Sequence, residues 1–425
     1  MTDAPAFTLP NLWHVCNLRE SPYFQETLGT EPDRYPLSLF VGRRAEAKQL
    51  LQVIGSSVSS RQSVGGAPGV GKTTLVQSVK ADALRAGYWA TDRLVPFFPE
   101  DTTESVLGRL LSGLYDAVLT ARPMTASNSA MQAAQQLVRV ARLESGGMSL
   151  SLLGVGGGVS RGSSTATPAG AMLLDGPRVV RDLLTLVRSS GAKGVVLHLN
   201  NLENLSEKNA RHAAEILRSL RDAVLLQEGL HIILAGTDDA VLAVTGTHAQ
   251  VRSVFATPLT LRAMPMREVQ ELLDARYEHL ALDSSRKPIP PVAPSAIATL
   301  YPLFRGDLRA LFKALEEGAM LLIGVGAKPG VSIPLSELKP ALQQRYAAMI
   351  ANTGVRRQRQ LRAWAKKPAA EHTQKSLVTL WSVSQPAVSN ALLGLEQDGF
   401  VVTVAHRGSE PARYALSGVS RLVFG

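Results

Sequence analysis

The stretch Gly66-Ala67-Pro68-Gly69-Val70-Gly71-Lys72-Thr73 decides the fold of this chain. It matches the P-loop pattern in full, with two glycines framing four residues ahead of a lysine and a hydroxyl residue. Glycines let successive backbone N–H groups turn toward one anion, and the helix that follows points its positive end at the same charge. In this pattern the lysine reaches the β- and γ-phosphates and the threonine hydroxyl ligates Mg²⁺. The stretch therefore predicts a nucleotide site.

The residues that flank this loop fit the pattern unequally. Downstream, Thr73–Ala86 carries apolar residues at helical spacing and is closed by Gly87, which predicts a helix. Upstream, the apolar strand expected before a P-loop is weak, because Arg61-Gln62-Ser63-Val64 is mostly polar.

Helix–strand alternation continues beyond the loop. Two apolar runs, Val195–Leu199 and Ile232–Ala235, predict buried strands with a helix between them. The alternation extends from Phe40 to about Pro265 and predicts an α/β fold with a parallel sheet. Residues 38–265 are accordingly interpreted as the nucleotide-binding core.

Composition limits the remaining possibilities. The chain has 425 residues, of which 45% are hydrophobic and 19% charged, so two or three globular domains are expected and wholesale disorder is excluded. A single cysteine, Cys16, excludes an internal disulfide and a multi-cysteine metal site. The sequence shows no apolar run long enough to span a membrane and no signal-peptide pattern, so we predict a cytoplasmic protein with no membrane contact.

Two segments depart from the alternation. Residues 1–37 show no clear periodicity and are interpreted as an extension wrapped on the body. Residues 122–170 are interpreted as an insertion in the core, where Met148–Leu153 alternates like a strand ahead of a glycine-rich run. The prediction there is a hairpin or a flexible surface loop. Residues 266–345 have a helical texture and are predicted to form a small helical domain.

The last 80 residues are unusually basic. Residues 346–425 contain ten basic and four acidic residues, which accounts for more than half of the net charge of +10. Six of the ten lie between Arg356 and Lys367, a stretch interpreted as a basic linker. A basic terminal module on a nearly balanced body suggests a polyanionic partner, most often nucleic acid.

Residues 374–418 are typical of a winged helix. A short helix Lys375–Leu380, a turn, a helix Pro386–Gln397 and two strands follow in order. The run Ser384–Val401 resembles the recognition helix and wing of MarR-type regulators, whose helices place side chains in the DNA major groove. Candidates for contact with base edges are Gln385, Ser389 and Asn390, and candidates for phosphate contact are Lys375, Arg407 and Arg413.

With these motifs in this order, the chain resembles an AAA+ ATPase of the replication-initiator (origin-recognition) branch and its bacterial relatives with a terminal winged helix. The resemblance covers roughly residues 35–345, and the winged helix extends it to the end. The matching segments are Phe40-Val41-Gly42-Arg43 with Glu46 (the box that leads into the P-loop and lines the adenine pocket), the P-loop, the Walker B strand, Thr237 (sensor 1), Gln250–Phe255 (the arginine-finger segment) and Gly306-Asp307-Leu308-Arg309 (sensor 2).

The resemblance implies a fold and a set of roles. The fold would be a parallel-sheet P-loop core, a helical lid over residues 266–345, and a winged helix-turn-helix domain after the basic linker. Val41, the P-loop and Thr74 would hold the nucleotide, while Thr237 and Arg309 would meet its phosphates. Arg252 would point into the site of a neighbouring subunit. The implied cofactors are ATP and Mg²⁺, and ATP would drive assembly of several copies.

One position departs from the family pattern. Where the family has an acidic Walker B pair, this chain has Asn200 and Asn201, and the nearest acid is Glu203. An amide accepts a hydrogen bond from Mg²⁺-bound water but brings no charge and cannot act as a base. Asn200 thus takes the place of a metal-associated acid, and slow hydrolysis is expected.

Two functions from different classes fit this sequence. The first is an ATP-regulated protein that controls its own assembly and duplex DNA binding through the winged helix. The second is a STAND-like signalling or defence switch, in which the winged helix docks on protein. The absence of a repeat or effector segment favours the first. A transposition helper ATPase shares the core but usually lacks the wing, and a protein partner encoded by a neighbouring gene stays an open alternative.

Overall fold

The computed structural model describes residues 11–26, 28–29, 35–152, 170–202, 205, 207–324, 330–405 and 411–424. Up to residue 261 the elements are α1 (Arg44–Gly55), β1 (Ser60–Gly66), α2 (Lys72–Arg85), β2 (Trp89–Ala90), β3 (Val95–Pro96), α3 (Thr103–Ala121), α4 (Ser129–Leu152), α5 (Gly170–Ser189), β4 (Val195–Asn200), α6 (Glu207–Leu220), β5 (Leu230–Ala235), α7 (Asp238–Gly246), α8 (Ala249–Arg252) and β6 (Leu259–Leu261). A helical region and a smaller sheet follow. They comprise α9 (Met266–His279), α10 (Pro294–Leu300), α11 (Leu308–Gly324), α12 (Leu335–Ala351), α13 (Val355–Ala365), β7 (His372–Thr373), α14 (Gln374–Trp381), α15 (Gln385–Gln397), β8 (Val401–Ala405), β9 (Arg413–Leu416) and α16 (Gly418–Phe424).

The first part is an α/β fold built on one parallel sheet, which confirms the predicted class. Among the described strands the order is β2-β4-β5-β1-β6, with β3 also pairing with β4. Strand β1 therefore lies between β5 and β6, and β4 lies one strand further out. Because all pairs are parallel, the carboxyl ends of β1, β4 and β5 meet at one edge of the sheet, where ligands of such folds bind.

Strand β1 is fully formed although its sequence is polar, so the weak strand signal ahead of the loop was misleading. Two of its buried polar side chains have partners: Gln62 Nε2 donates to the carbonyl of Leu50 at 3.2 Å, and Ser60 Oγ lies 2.9 Å from His231 Nδ1. Pairing on both sides with β5 and β6 satisfies the backbone. Tertiary pairing overrides weak local propensity here.

The strand predicted over Met148–Leu153 is wrong for residues 148–152, which belong to helix α4. Met131, Ala134 and Val138 recur at helical spacing and are buried against α3 and α5. The helix that this packing stabilises continues through residues 148–152. The glycine-rich remainder of the insertion, residues 153–169, lies outside the described residues.

The N-terminal segment packs into the core of the helical region. Its Tyr23 hydroxyl accepts a hydrogen bond from the Val292 backbone at 3.2 Å. The buried guanidinium of Arg276 lies 3.8 Å from the Phe24 ring centroid and 4.8 Å from that of Phe312. Leu422 of the last helix is fully buried in the same core. Segments from both ends of the chain thus complete the helical region.

The stretch interpreted as a basic linker is helix α13, so that interpretation is wrong. Leu361 and Trp364 are buried in the core of the terminal module, and Trp381 Nε1 donates to the Gln360 carbonyl at 3.1 Å. A linker would leave these apolar groups exposed. In this part α13, β7, α14, α15, β8 and β9 follow in order, and the sheet order is β7-β9-β8.

Within the described ranges, no helix combines the length and the apolarity needed to cross a membrane.

Candidate functional site

The P-loop joins β1 to α2 and has a conformation suited to an anion. Gly69 and Gly71 have φ of +74° and +93°, which glycine adopts without strain. Lys72 is buried, and its Nζ donates to the carbonyls of Gly66 and Ala67 at 3.0 Å each. Thr73 follows in the first turn of the helix α2 and is partly exposed. The loop places backbone N–H groups, an ammonium and a hydroxyl at one point, which fits a phosphate chain with Mg²⁺.

Arg43 ties the segment before α1 to this loop. Its guanidinium donates to Glu46 Oε1 at 3.1 Å, to the Val70 carbonyl at 3.2 Å and also to the Arg262 carbonyl. Arg43 is 5% exposed and adopts a φ of +56°. A buried charge with several acceptors holds its neighbours firmly. The sequence assigned this box to the adenine pocket but did not reveal that Arg43 also hydrogen-bonds to the P-loop.

The helical region touches the P-loop directly. The backbone N–H of Leu308 donates to the Gly69 carbonyl at 3.3 Å. A Cβ at Gly69 would overlap with the carboxylate of Asp307, which also caps α11 through the Ala310 N–H at 3.0 Å. Burial raises the pKa of Asp307, with nearby Arg309 and Lys72 opposing the rise. Arg309 is exposed beside this contact, so the predicted sensor 2 residue lies next to the loop.

The Walker B position lies at the same edge of the sheet. Asn200 ends β4, is 7% exposed, and accepts a hydrogen bond from the Phe97 N–H at its carbonyl, at 3.0 Å. It shares a face of β4 with Val196, which packs in the core beneath α2. Asn201 turns the chain with a φ of +71°. Glu203 lies outside the described residues.

The predicted sensor 1 and arginine-finger residues lie on consecutive helices. Thr237 caps α7, and its Oγ1 accepts from the Ala240 N–H at 3.3 Å, which leaves its hydroxyl hydrogen able to donate. Arg252 is exposed in the last turn of α8, which packs on α6 and α7. Its position on the surface is what a contact with another subunit would need.

Carboxylates approach the loop at separate points, among them Asp307 against Gly69. Among the described residues no three His, Cys, Asp or Glu side chains come together as a metal site. One carboxylate that sequence reasoning missed is Asp238, whose Oδ1 is buried, has no hydrogen-bond partner among the described residues and packs on Gly65, just before the loop. The sequence feature that could have identified Asp238 is its position beside Thr237, directly after an apolar strand.

A second buried lysine lies on the sheet-facing side of α2. Lys80 is 1% exposed, and its Nζ has no hydrogen-bond partner among the described residues. Burial lowers its pKa from 10.5 to about 8, with Asp92 opposing the shift. Burial, together with Lys80, also lowers the pKa of His198 on β4. His198 is a core residue, and both of its ring nitrogens lack hydrogen-bond partners in the described part of the chain.

A cleft of about 670 Å³ opens along α1 and the later turns of α2, and P-loop residues are not among those that line it. It lies between the segment before α1 and the outer faces of α1 and α2, with Phe40, Gly42 and Ser78 among its lining residues. Val41, assigned to the adenine pocket, is partly buried against the helical region.

The candidate DNA residues differ in exposure where they are described. Gln385, Asn390 and Lys375 are exposed, whereas Ser389 is half-buried and its hydroxyl donates to Gln374 Oε1 at 3.2 Å. Arg413 lies 4.0 Å from Glu371. Arg407 lies outside the described residues.

Residues 39–234 match the family model described as the AAA ATPase domain. This region contains the P-loop, the Walker B strand and most of β5, and ends just before Thr237. Residues 39–234 are thus similar to AAA ATPase domains, a class whose activity is ATP hydrolysis. A comparison with curated proteins finds no match.

Matches to solved structures extend over 86% to 95% of the chain. The ORC2 protein of Aeropyrum pernix, in ADPNP and ADP complexes, is 16% identical, covers 95% of each chain and gives a TM-score of 0.47. Cdc6p of Pyrobaculum aerophilum is 13% identical over 90% of this chain and 96% of its own, with a TM-score of 0.41. A RuvB variant of Thermotoga maritima is 15% identical over 86% and 90%, with a TM-score of 0.40.

Proposed function

We propose that this protein is an ATP-dependent switch in which the nucleotide state at the P-loop sets the position of the terminal module. The observation that carries the proposal is one lid turn with contacts at both ends. Leu308 of this turn donates to the P-loop carbonyl of Gly69. Arg305, three residues earlier, pairs with Glu371 of the terminal module at 2.8 Å.

The contact between the turn and the module is wider than one ion pair. Arg421 Nη1 donates to the carbonyls of Pro302 and Leu303 at 3.3 and 3.2 Å. A Cβ at Gly418 would overlap with the Phe304 ring. These groups are too closely packed to absorb a movement of the lid. A rearrangement of the lid around the phosphates would therefore move the terminal module as well.

We further propose that ATP binds tightly and turns over slowly. The P-loop provides most phosphate contacts from its backbone and Lys72, which need no acid. When bound, Mg²⁺ would be held by Thr73 and the phosphates, with Asn200 accepting from its water shell. Without a carboxylate at positions 200 and 201, the residues that should polarise the attacking water are weak. Glu203, Thr237 and Asp238 are candidates for that task.

The domain organisation follows from these roles. We propose a core over residues 38–265, a lid over 266–345 that includes packed N-terminal residues, and a winged helix over 346–425. The order α13, β7, α14, α15, β8, β9 supports the winged helix, and exposed Gln385 and Asn390 on α15 support duplex DNA as its partner. We assign the exposed Arg252 to the neighbouring subunit's ATP, so that ATP would promote assembly.

The experiment that tests the proposal measures binding of the full chain to labelled duplex DNA with no nucleotide, with ADP and with ATP. We expect affinity to differ between ADP and ATP, and Arg305→Ala to reduce the difference without abolishing ATP binding. Sedimentation of the wild type and Arg252→Ala in the same three states tests assembly. Equal DNA affinity and equal mass in all states would contradict the switch.

A second function, a signalling switch whose module docks on protein, is favoured by one observation. Helix α16 buries Leu422 in the lid core, which would suit a module locked in an inactive form. This reading predicts a nucleotide-dependent change in shape with no DNA binding in any state.

A further inference from the structure

The basic charge of the terminal module is concentrated on helix α13, away from the predicted recognition helix. Five cations of this helix and its end are exposed, and we call them the α13 ridge: Arg356, Arg359, Arg362, Lys366 and Lys367. The recognition helix α15, by contrast, contains no lysine or arginine between residues 385 and 397. The electrostatic surface of the module is therefore not the surface that reads bases.

The ridge is one continuous face. Arg359, Arg362 and Lys366 recur at three and four residues and so lie on the side of α13 opposite the buried Leu361 and Trp364. At a rise of 1.5 Å per residue, the ridge from residue 356 to residue 366 extends for about 15 Å. One strand of a DNA duplex presents a charge about every 3.4 Å along its axis, so the ridge matches several consecutive phosphates.

These cations have no anionic partner within the described part of the protein, unlike other arginines nearby. Arg357 of the same helix pairs with Asp398 at 2.6 Å, and Arg345 pairs with Glu317 at 2.8 Å. The ridge residues make no such ion pair, and the helix itself carries no acid between residues 355 and 365. Like charges at three- and four-residue spacing repel one another, and Arg356 lies at the positive end of the helix. The arrangement adds no ion pair to the described fold, whereas a bound polyanion would relieve the repulsion between these cations.

We propose that the α13 ridge binds the phosphate backbone of duplex DNA and supplies most of the affinity, while α15 supplies sequence preference. The proposal rests on the proposed DNA-binding function and extends it to a second surface. An arginine or lysine that neutralises a phosphate releases a counterion, so its contribution appears as a salt dependence. Base contacts from uncharged side chains do not add to that dependence.

The experiment measures anisotropy of a fluorescein-labelled DNA duplex with the full chain over a series of salt concentrations. The ridge variant carries Arg359→Gln, Arg362→Gln and Lys366→Gln. We expect its affinity at moderate salt to fall about tenfold or more, and the slope of log affinity against log salt to become less steep by about 2.7. The matched control removes three exposed arginines of the core, with Arg139→Gln, Arg181→Gln and Arg218→Gln.

Each outcome decides between the two surfaces. Wild-type binding with a ridge variant equal to the control would overturn the ridge and leave the proposed function standing. If the wild type binds no duplex in any nucleotide state, the proposed DNA binding fails and the ridge proposal fails with it. A charge-conserving variant, Arg359→Lys with Arg362→Lys, should keep the affinity and the slope, which separates loss of charge from loss of folding.

Discussion

The phosphate-binding end of the sheet and the α13 ridge both present cations, but they hold them in opposite ways. Lys72 and Arg43 are buried, and backbone carbonyls accept hydrogen bonds from each. The ridge cations are exposed on one helix face and have no ion-pair partner in the described structure. Fixed cations suit a ligand with one geometry, such as a triphosphate. Mobile cations suit a polymer that presents the same charge at many positions.

A third cation sharpens this contrast, because it lies on the same helix as Lys72. Lys80 is buried two turns further along α2, yet no acceptor in the described structure satisfies its ammonium group. Burial alone therefore does not distinguish Lys72 from Lys80. The difference between them is that Lys72 has hydrogen-bond acceptors in the P-loop.

The largest effect is expected at Lys72. Lys72→Met removes two charge-assisted hydrogen bonds within the loop and the contact with the phosphates, so ATP affinity should fall about 100-fold or more. Fluorescent nucleotide titration measures the loss, with exposed Lys48→Met as the control. If Lys72→Met binds ATP like the wild type, the fixed-cation half of the comparison is wrong.

The next effect concerns the uncharged edge of the same site. Asn200→Asp with Asn201→Glu restores the acidic pair, and steady-state ATP hydrolysis should rise by about tenfold to 100-fold. The physical reason is that a carboxylate beside the loop can hold Mg²⁺-bound water and orient the attacking water. The amide-preserving control Asn200→Gln should give no rise.

Glu203→Gln and Asp238→Asn test whether another acid already performs this task. If Glu203→Gln abolishes turnover, Glu203 is the acid that acts. If Asp238→Asn does so, the buried carboxylate on Gly65 acts instead. Brisk wild-type turnover that survives both substitutions would contradict the proposal of a slow switch.

The nucleotide site was predictable from the sequence because its chemistry is encoded in consecutive residues. Glycines, a lysine and a threonine at fixed spacing specify the loop whatever surrounds it, and the two apolar strands specify the sheet. The contacts between the helical region and the P-loop were not predictable, since Asp307 lies against Gly69 in space but 238 residues further along the sequence. The sequence gives only the local signal that an aspartate precedes a helix.

The terminal half shows the opposite limit. A row of arginines between glycine and proline residues is typical of a linker, and only the tertiary position of Leu361 and Trp364 shows that it is a packed helix. The polar sequence of β1 gives only a weak strand signal for the same reason, because local patterns do not show that this strand is paired on both sides. Residues 148–152 alternate like a strand but continue a helix that α3 and α5 stabilise.

A smaller effect, on stability, is expected at Lys80. Because its pKa in the folded state is about 8 against 10.5 for the free side chain, the unfolded state binds more protons between these values. The stability of the wild type should therefore rise as pH increases from about 8 to 10.5. Lys80→Met removes the buried charge, so it should stabilise the protein at pH 7 by about 2 kcal/mol and abolish that rise.

Chemical denaturation across this pH range measures both effects, with Lys48→Met as the exposed control. ATP affinity should be unchanged in Lys80→Met, because no phosphate contact is assigned to Lys80. A variant that is less stable than the wild type, or that loses ATP binding, would show that Lys80 has a partner of its own and would weaken the contrast with Lys72.

The smallest effect is expected at Asn390, on the base-reading side of the terminal module. Its amide is exposed on α15, and a bidentate contact from such an amide to an adenine edge is worth about 1–3 kcal/mol of discrimination. Asn390→Ala should thus flatten the preference among duplex sequences by about tenfold while leaving the salt slope unchanged. Selection from a randomised duplex pool measures the preference, and the exposed Gln397→Ala, at the other end of the same helix, serves as the control. A changed salt slope in Asn390→Ala, or an unchanged preference, would mean that α15 and the α13 ridge do not divide base reading and phosphate binding between them.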